Sequence, residues 1–83
     1  MVKTVRYTPD ALKALKRHGN MAARIMKAMR DYADNPAAHA NNVKKLKGST
    51  AMRLRVGGYR VIFEEAGAEL VVTDLGPRGG IYE

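Results

Sequence analysis

Two adjacent glycines, Gly57-Gly58, separate two short runs in which apolar residues alternate with polar ones: Ala51-Met52-Arg53-Leu54-Arg55-Val56 and Tyr59-Arg60-Val61-Ile62-Phe63-Glu64. Alternation with a period of two marks a strand with one buried face, and a glycine pair between such runs suits the positive φ angles of a tight hairpin turn. Register follows from the turn. With Gly57-Gly58 as the loop, Val56 faces Tyr59, Arg55 faces Arg60, Leu54 faces Val61, Arg53 faces Ile62 and Met52 faces Phe63, because antiparallel pairs step outward symmetrically. Successive side chains point to opposite faces, so Met52, Leu54, Val56, Tyr59, Val61 and Phe63 form one apolar side. Arg53, Arg55 and Arg60 are expected to project together from the other, beside Ile62 and Glu64. Like charges directly opposite one another are unfavourable in a sheet, so Arg55 across from Arg60 is a local cost that a bound polyanion would relieve.

The charge pattern extends beyond the hairpin. No acidic residue lies between Asp34 and Glu64, whereas Lys44, Lys45, Lys47, Arg53, Arg55 and Arg60 all fall in that window. With a net charge of +7, the chain calls for an acidic partner: nucleic acid, an acidic protein segment or an anionic membrane surface. Its 83 residues make one domain, 1–83, with a single modest core and no room for a separate catalytic module. The absence of cysteine excludes disulfides, thiolate metal sites and a cysteine nucleophile. Met1 to Tyr7 lacks the apolar core of a signal peptide, and no stretch approaches the roughly 18 to 20 apolar residues that span a bilayer. A cytoplasmic protein with no membrane partner is expected.

Along the chain, Val2 to Tyr7 reads as a strand, followed by Thr8 as N-cap and Pro9 at the first helical position. Ala11, Leu12 and Leu15 give the first helix its apolar side, and Arg17-His18-Gly19 supplies a basic last turn and a glycine stop. Asn20 is expected to cap a second helix whose apolar residues Ala22, Ile25, Met26, Met29, Tyr32 and Ala33 recur at spacings of three and four. Asn35-Pro36 ends it. Residues 36–48 read as a connecting loop, anchored by Leu46, that carries Lys44, Lys45 and Lys47 up to the hairpin. After a turn at Glu65 to Ala68, Leu70 to Leu75 reads as a strand apolar on both sides and therefore interior to the sheet, interrupted by Gly76-Pro77. Arg78 to Glu83 can form a tail strand. The expected fold is α+β in the order β-α-α-β-β-β: an antiparallel sheet with a helical hairpin packed on its apolar face and the arginines on the open one.

The run from Arg53 to Glu64, followed by Val71-Val72-Thr73-Asp74-Leu75-Gly76-Pro77-Arg78-Gly79-Gly80-Ile81-Tyr82, resembles the carboxy-terminal half of the RelE/ParE toxin superfamily. The helix pair and the lysine-containing segment Asn41 to Gly48 fit as well, so the resemblance covers nearly the whole chain. It implies a compact toxin of a type II toxin-antitoxin pair, with a cognate acidic antitoxin as partner. The RelE branch cleaves mRNA in the ribosomal A site without a metal, and the ParE branch poisons DNA gyrase. Carried over by position, the resemblance makes Arg60 the arginine at the scissile phosphate, Arg78 the downstream arginine and Tyr82 the terminal tyrosine. Arg53 falls where the RelE branch has one catalytic lysine, while Ala51 occupies the position of a second. Lys44, Lys45, Lys47 and Arg55 would bind RNA, and neither metal nor other cofactor is implied.

Metal-free cleavage of RNA needs a base for the 2′-hydroxyl, positive charge on the phosphorane-like transition state and a donor for the leaving 5′-oxygen. Arg53, Arg55, Arg60 and Arg78 can supply charge but, being always protonated, are poor acids or bases near neutral pH. Proton transfer is left to Tyr82, the loop lysines or the RNA's surroundings, with a cationic cluster pulling a phenol or ammonium pKa down from near 10. His18, in a helix-capping turn, and His39, in a loop, make a less supported acid-base pair. Three function classes stand open: a ribosome-dependent endoribonuclease, a gyrase poison, and a basic RNA-binding module without a reaction.

Overall fold

The computed structural model describes residues 3–46 and 48–77. Strand β1 (Thr4–Tyr7) leads into helix α1 (Pro9–Arg17), where the Thr8 hydroxyl accepts a hydrogen bond from the Ala11 N–H at 3.1 Å and Pro9 opens the helix. An N-cap acceptor satisfies one of the donors orphaned at a helix start, and a proline there loses no bond. Helix α2 (Gly19–Asp34) follows after a single residue. His18 is both the C-cap of α1, its N–H bonded to the Ala14 carbonyl at 3.0 Å, and the N-cap of α2. The expected roles of Gly19 and Asn20 are therefore corrected: Gly19 begins α2 where a stop was expected, and Asn20 lies inside the helix. The turn is too short to hold a separate cap for each helix.

Helix α1 buries Ala11, Ala14 and Leu15, and α2 buries Met21, Ile25, Met29, Tyr32 and Ala33. Leu12 and Met26, assigned to the apolar stripes, are instead 49% and 41% exposed. Alanines and methionines allowed either stripe to rotate by one residue; packing chose the rotation.

The five strands lie in the order β1-β5-β4-β3-β2, with β2 (Val43–Lys45), β3 (Met52–Val56), β4 (Tyr59–Ala66) and β5 (Glu69–Pro77). The β3–β4 register pairs Val56 with Tyr59, Arg55 with Arg60, Leu54 with Val61, Arg53 with Ile62 and Met52 with Phe63, as the alternation requires. Gly57 alone of the turn pair takes a positive φ, +59°, which is the demand of a type II′ hairpin. Leu54, Val56, Val61 and Phe63 join the helices in one core, and the Phe63 ring meets Tyr32 edge-on at 5.3 Å.

The α+β class and the helix pair on one face are as expected, while the sheet differs in three respects. It is mixed, because β1 runs parallel to β5; most of the chain separates the two, so no tight turn dictates their relative direction. The segment read as a loop contains a 3₁₀ helix (Pro36–Asn42) and β2, which pairs antiparallel with β3. And β5 continues through Gly76 to Pro77, opposite Tyr59, without interruption, since a proline at a strand's last residue removes at most one ladder bond. Within β5, Ile62 faces Asp74 but Phe63 faces Val72, so Thr73 is an extra, bulged residue. That bulge resets the alternation and lets Leu70, Val72 and Leu75 all reach the core.

Candidate nucleic-acid interface

The strand pairings line up two rows of side chains across the sheet face turned away from the helices. One runs Lys44, Arg53, Ile62, Asp74, and the other Arg55, Arg60, Gly76. Four cations thus share one face over three adjacent strands, in the arrangement that phosphate binding requires. Arg55 is exposed and Arg53 half-buried. Arg60 departs from the expectation of an open-face side chain, because it is only 6% exposed. It sits on the middle strand, between Arg55 on one side and Gly76 on the other. Ile62 on the same face is also buried.

A shallow groove beside β3 is lined by Asn41, Asn42, Lys44, Arg53 and Arg55. The two asparagines were not assigned by sequence to the site. Their paired side-chain amides, just ahead of β2, are the signal that could have marked them. Lys45 is separated from Lys44 by the strand itself: it pairs with Met52 and lies on the helix side of β2, exposed at the sheet edge. A loop would have let both point the same way; a strand cannot. Arg78, Tyr82 and Lys47, the remaining sequence candidates, lie outside the described residues.

The histidines do not form a pair. His18 Nδ1 is 3.2 Å from the Tyr59 hydroxyl and its ring meets that phenol edge-on, whereas His39 belongs to the 3₁₀ helix. Burial raises the pKa of Tyr7, against a weaker opposing pull from Arg30, and raises that of Tyr32 with help from Glu65. Both phenols are thereby held neutral and unsuited to accepting a proton near pH 7. Among the described residues, Lys44 and Arg55 take part in none of the ion pairs Lys3–Glu65, Arg6–Glu69 and Lys27–Asp31. Among the described residues, no helix is long and apolar enough to cross a membrane.

The fold is shared. Residues 5–82 match the family model described as the ParE toxin of type II toxin-antitoxin systems. The chain belongs to that family, within the RelE/ParE superfamily. Similar solved structures include the archaeal RelE-RelB complex of Pyrococcus horikoshii, at 25% identity and a TM-score of 0.76 over 98% of this chain and 100% of the other. The RelB-RelE complex of Methanococcus jannaschii is 26% identical, with a TM-score of 0.71 over 93% and 94%. The YafQ H87Q mutant of E. coli shares the fold at 15% identity, with a TM-score of 0.73 over 98% and 99%. No curated protein matches the chain. The toxin thus carries its cationic rows on a scaffold common to type II toxins.

Proposed function

We propose that this toxin is a ribosome-dependent, metal-independent endoribonuclease that cleaves mRNA in the cytoplasm and so inhibits translation, and that a cognate acidic antitoxin silences it. The observation that carries the reading is the alignment of Lys44, Arg53, Arg55 and Arg60 on one sheet face. Guanidinium groups already in place can stabilise charge as it develops on the scissile phosphate without reorganising. Arg60, held by its burial in the middle strand, is the group placed at that phosphate. Arg53 stands beside it, and Arg78 and Tyr82 complete the set, the phenol acting in proton transfer. Lys44, Arg55, Lys45 and Lys47 hold the RNA, and the ribosome positions the strand. The antitoxin is supported by the solved relatives that are toxin-antitoxin complexes, such as RelE-RelB and RelBE2 of Mycobacterium tuberculosis. An acidic segment laid against a chain of net charge +7 gains by electrostatic complementarity.

The family description, a ParE toxin, favours a second reading, the gyrase poison that resemblance to the ParE branch implies. The two separate in one experiment: primer extension on mRNA after induction of the wild-type toxin, beside a gyrase supercoiling assay. Discrete cuts in translated mRNA with unimpaired supercoiling are expected. Inhibited supercoiling without cuts would transfer the conclusion to gyrase, and neither effect would leave a binding module.

The strand at Val43–Lys45 sharpens the RNA-binding assignment. Lys44→Gln should reduce the slope of log affinity for RNA against log salt by about 0.7, the value for one lost single-strand phosphate contact. Lys45→Gln, on the other side of β2, should reduce it less. Equal effects from both would show that the RNA passes along the sheet edge and does not lie on the face.

A further inference from the structure

A second acid-free window lies between Asp10 and Asp31, where Lys13, Lys16, Arg17, Arg24, Lys27 and Arg30 occur without an acidic residue. The fold brings this window against the first one. Arg24 of α2 lies over the β3–β4 turn, so close that a Cβ at Gly57 would be 3.4 Å from its Nη2 and 3.9 Å from its Cζ. His18, between the helices, is tied to Tyr59 on the other side of the same turn by the 3.2 Å contact to its hydroxyl. Lys16 and Arg17, both exposed, directly precede His18 in the last turn of α1. Arg55, exposed on the opposite sheet face, is two residues before Gly57. Cations from both faces of the sheet therefore meet at one end of the molecule, across a turn that has no side chains of its own to separate them.

We infer that this end is a second nucleic-acid contact: the RNA backbone leaves the arginine face at Arg55, passes the Gly57-Gly58 turn and is held by Arg24, with Lys16 and Arg17 beyond it. The inference rests on the RNA reading above and extends its site from one face to two. Three observations support it. Arg24, Lys16 and Arg17 take part in none of the ion pairs Lys3–Glu65, Arg6–Glu69 and Lys27–Asp31. Asp10 and Asp74 line a hollow with Lys13 and Arg17, where Asp74 accepts the Leu75 N–H at 2.8 Å; neither Arg24 nor Lys16 lines that hollow. Finally, the large apolar side chains exposed among the described residues are Leu12 and Met26, and neither belongs to the turn. A surface of guanidinium groups over bare glycine backbone suits phosphates, whereas an amphipathic protein segment needs an apolar anchor. Exposed glycines also let a strand pass closely.

The test measures binding of a fluorescein-labelled single-stranded RNA of about 20 nucleotides across a potassium chloride series, using toxin released from its antitoxin and refolded. Arg24→Gln should lower the log-log salt slope by about 0.7, and Lys16→Gln, Arg17→Gln and Arg24→Gln combined by about 1.4 or more. Arg30→Gln, an exposed cation further along α2, should change it less than Arg24→Gln. Circular dichroism melts establish that each variant is folded. An unchanged slope in the folded triple variant, while Arg55→Gln lowers it, would overturn the inference and leave the RNA face intact. Loss of antitoxin affinity in the triple variant with an unchanged RNA slope would overturn it in favour of an acidic protein partner. No salt-dependent RNA binding by any form, wild type included, would instead overturn the RNA reading itself.

Discussion

Replacing Arg60 by glutamine is expected to lower the proposed cleavage of ribosome-bound mRNA by a factor of about 100 to 1,000 relative to wild type, the loss seen when one donor to a developing oxyanion is removed, or about 2.7 to 4 kcal/mol. Turnover falls and binding to programmed ribosomes changes little, since the interaction lost is one made in the transition state. Burial of Arg60 to 6% exposure means its removal also disturbs packing on the middle strand. Arg60→Lys is therefore measured beside it: the ammonium keeps the charge but lacks the planar fork that can hold two phosphate oxygens at once. Its activity is expected between those of Arg60→Gln and wild type, in a domain that melts close to the wild-type temperature. Primer extension gives the rates and circular dichroism the fold. Wild-type cleavage by a folded Arg60→Gln protein would remove Arg60 from the site.

Phe63→Ala destabilises the domain by about 3 to 5 kcal/mol through lost transfer energy and the cavity left behind. Phe63 is fully buried and packs edge-on against Tyr32, so the change takes the centre out of the contact between the sheet and α2. For a domain of this size each kcal/mol moves the melting temperature by about 4 to 8 °C, so a fall of roughly 12 °C or more is expected. Total stability of small domains is about 5 to 15 kcal/mol, so the variant approaches the threshold of folding at 37 °C. Antitoxin or ribosome binding is expected to fail with it. A melting temperature within a few degrees of wild type would mean that the core closes over the gap, and that the sheet and α2 hold together elsewhere.

The two experiments probe opposite faces of the same strand. Arg60 and Phe63 are three residues apart on β4 and point to opposite sides, one toward the proposed chemistry and the other into the core.

Local periodicity determined a large part of this architecture. The alternation around Gly57-Gly58 dictates the hairpin register because a shift of one residue would turn Leu54, Val61 and Phe63 out of the core. Thr8-Pro9 announces the first helix by chemistry that acts within a few residues, and the acid-free window names the cations without any coordinates. Family membership was legible too, in the run from Arg53 to Tyr82. Where the deciding contact lies far along the chain, the sequence is silent. The direction of β1 is chosen by its distant partner β5. Three residues at Val43–Lys45 are too few to display an alternation, so only pairing with β3 shows that Lys44 and Lys45 face opposite ways. The burial of Arg60 is not readable from the hairpin, whose alternation assigns it only to the face turned away from the helices. Arg24 reached the Gly57 turn only because α2 starts beside that end of the sheet. Short-range pattern is written in the residues that make it, whereas strand order, and with it the surroundings of a charge, depends on contacts between segments whose identities place no constraint on one another until the chain is folded.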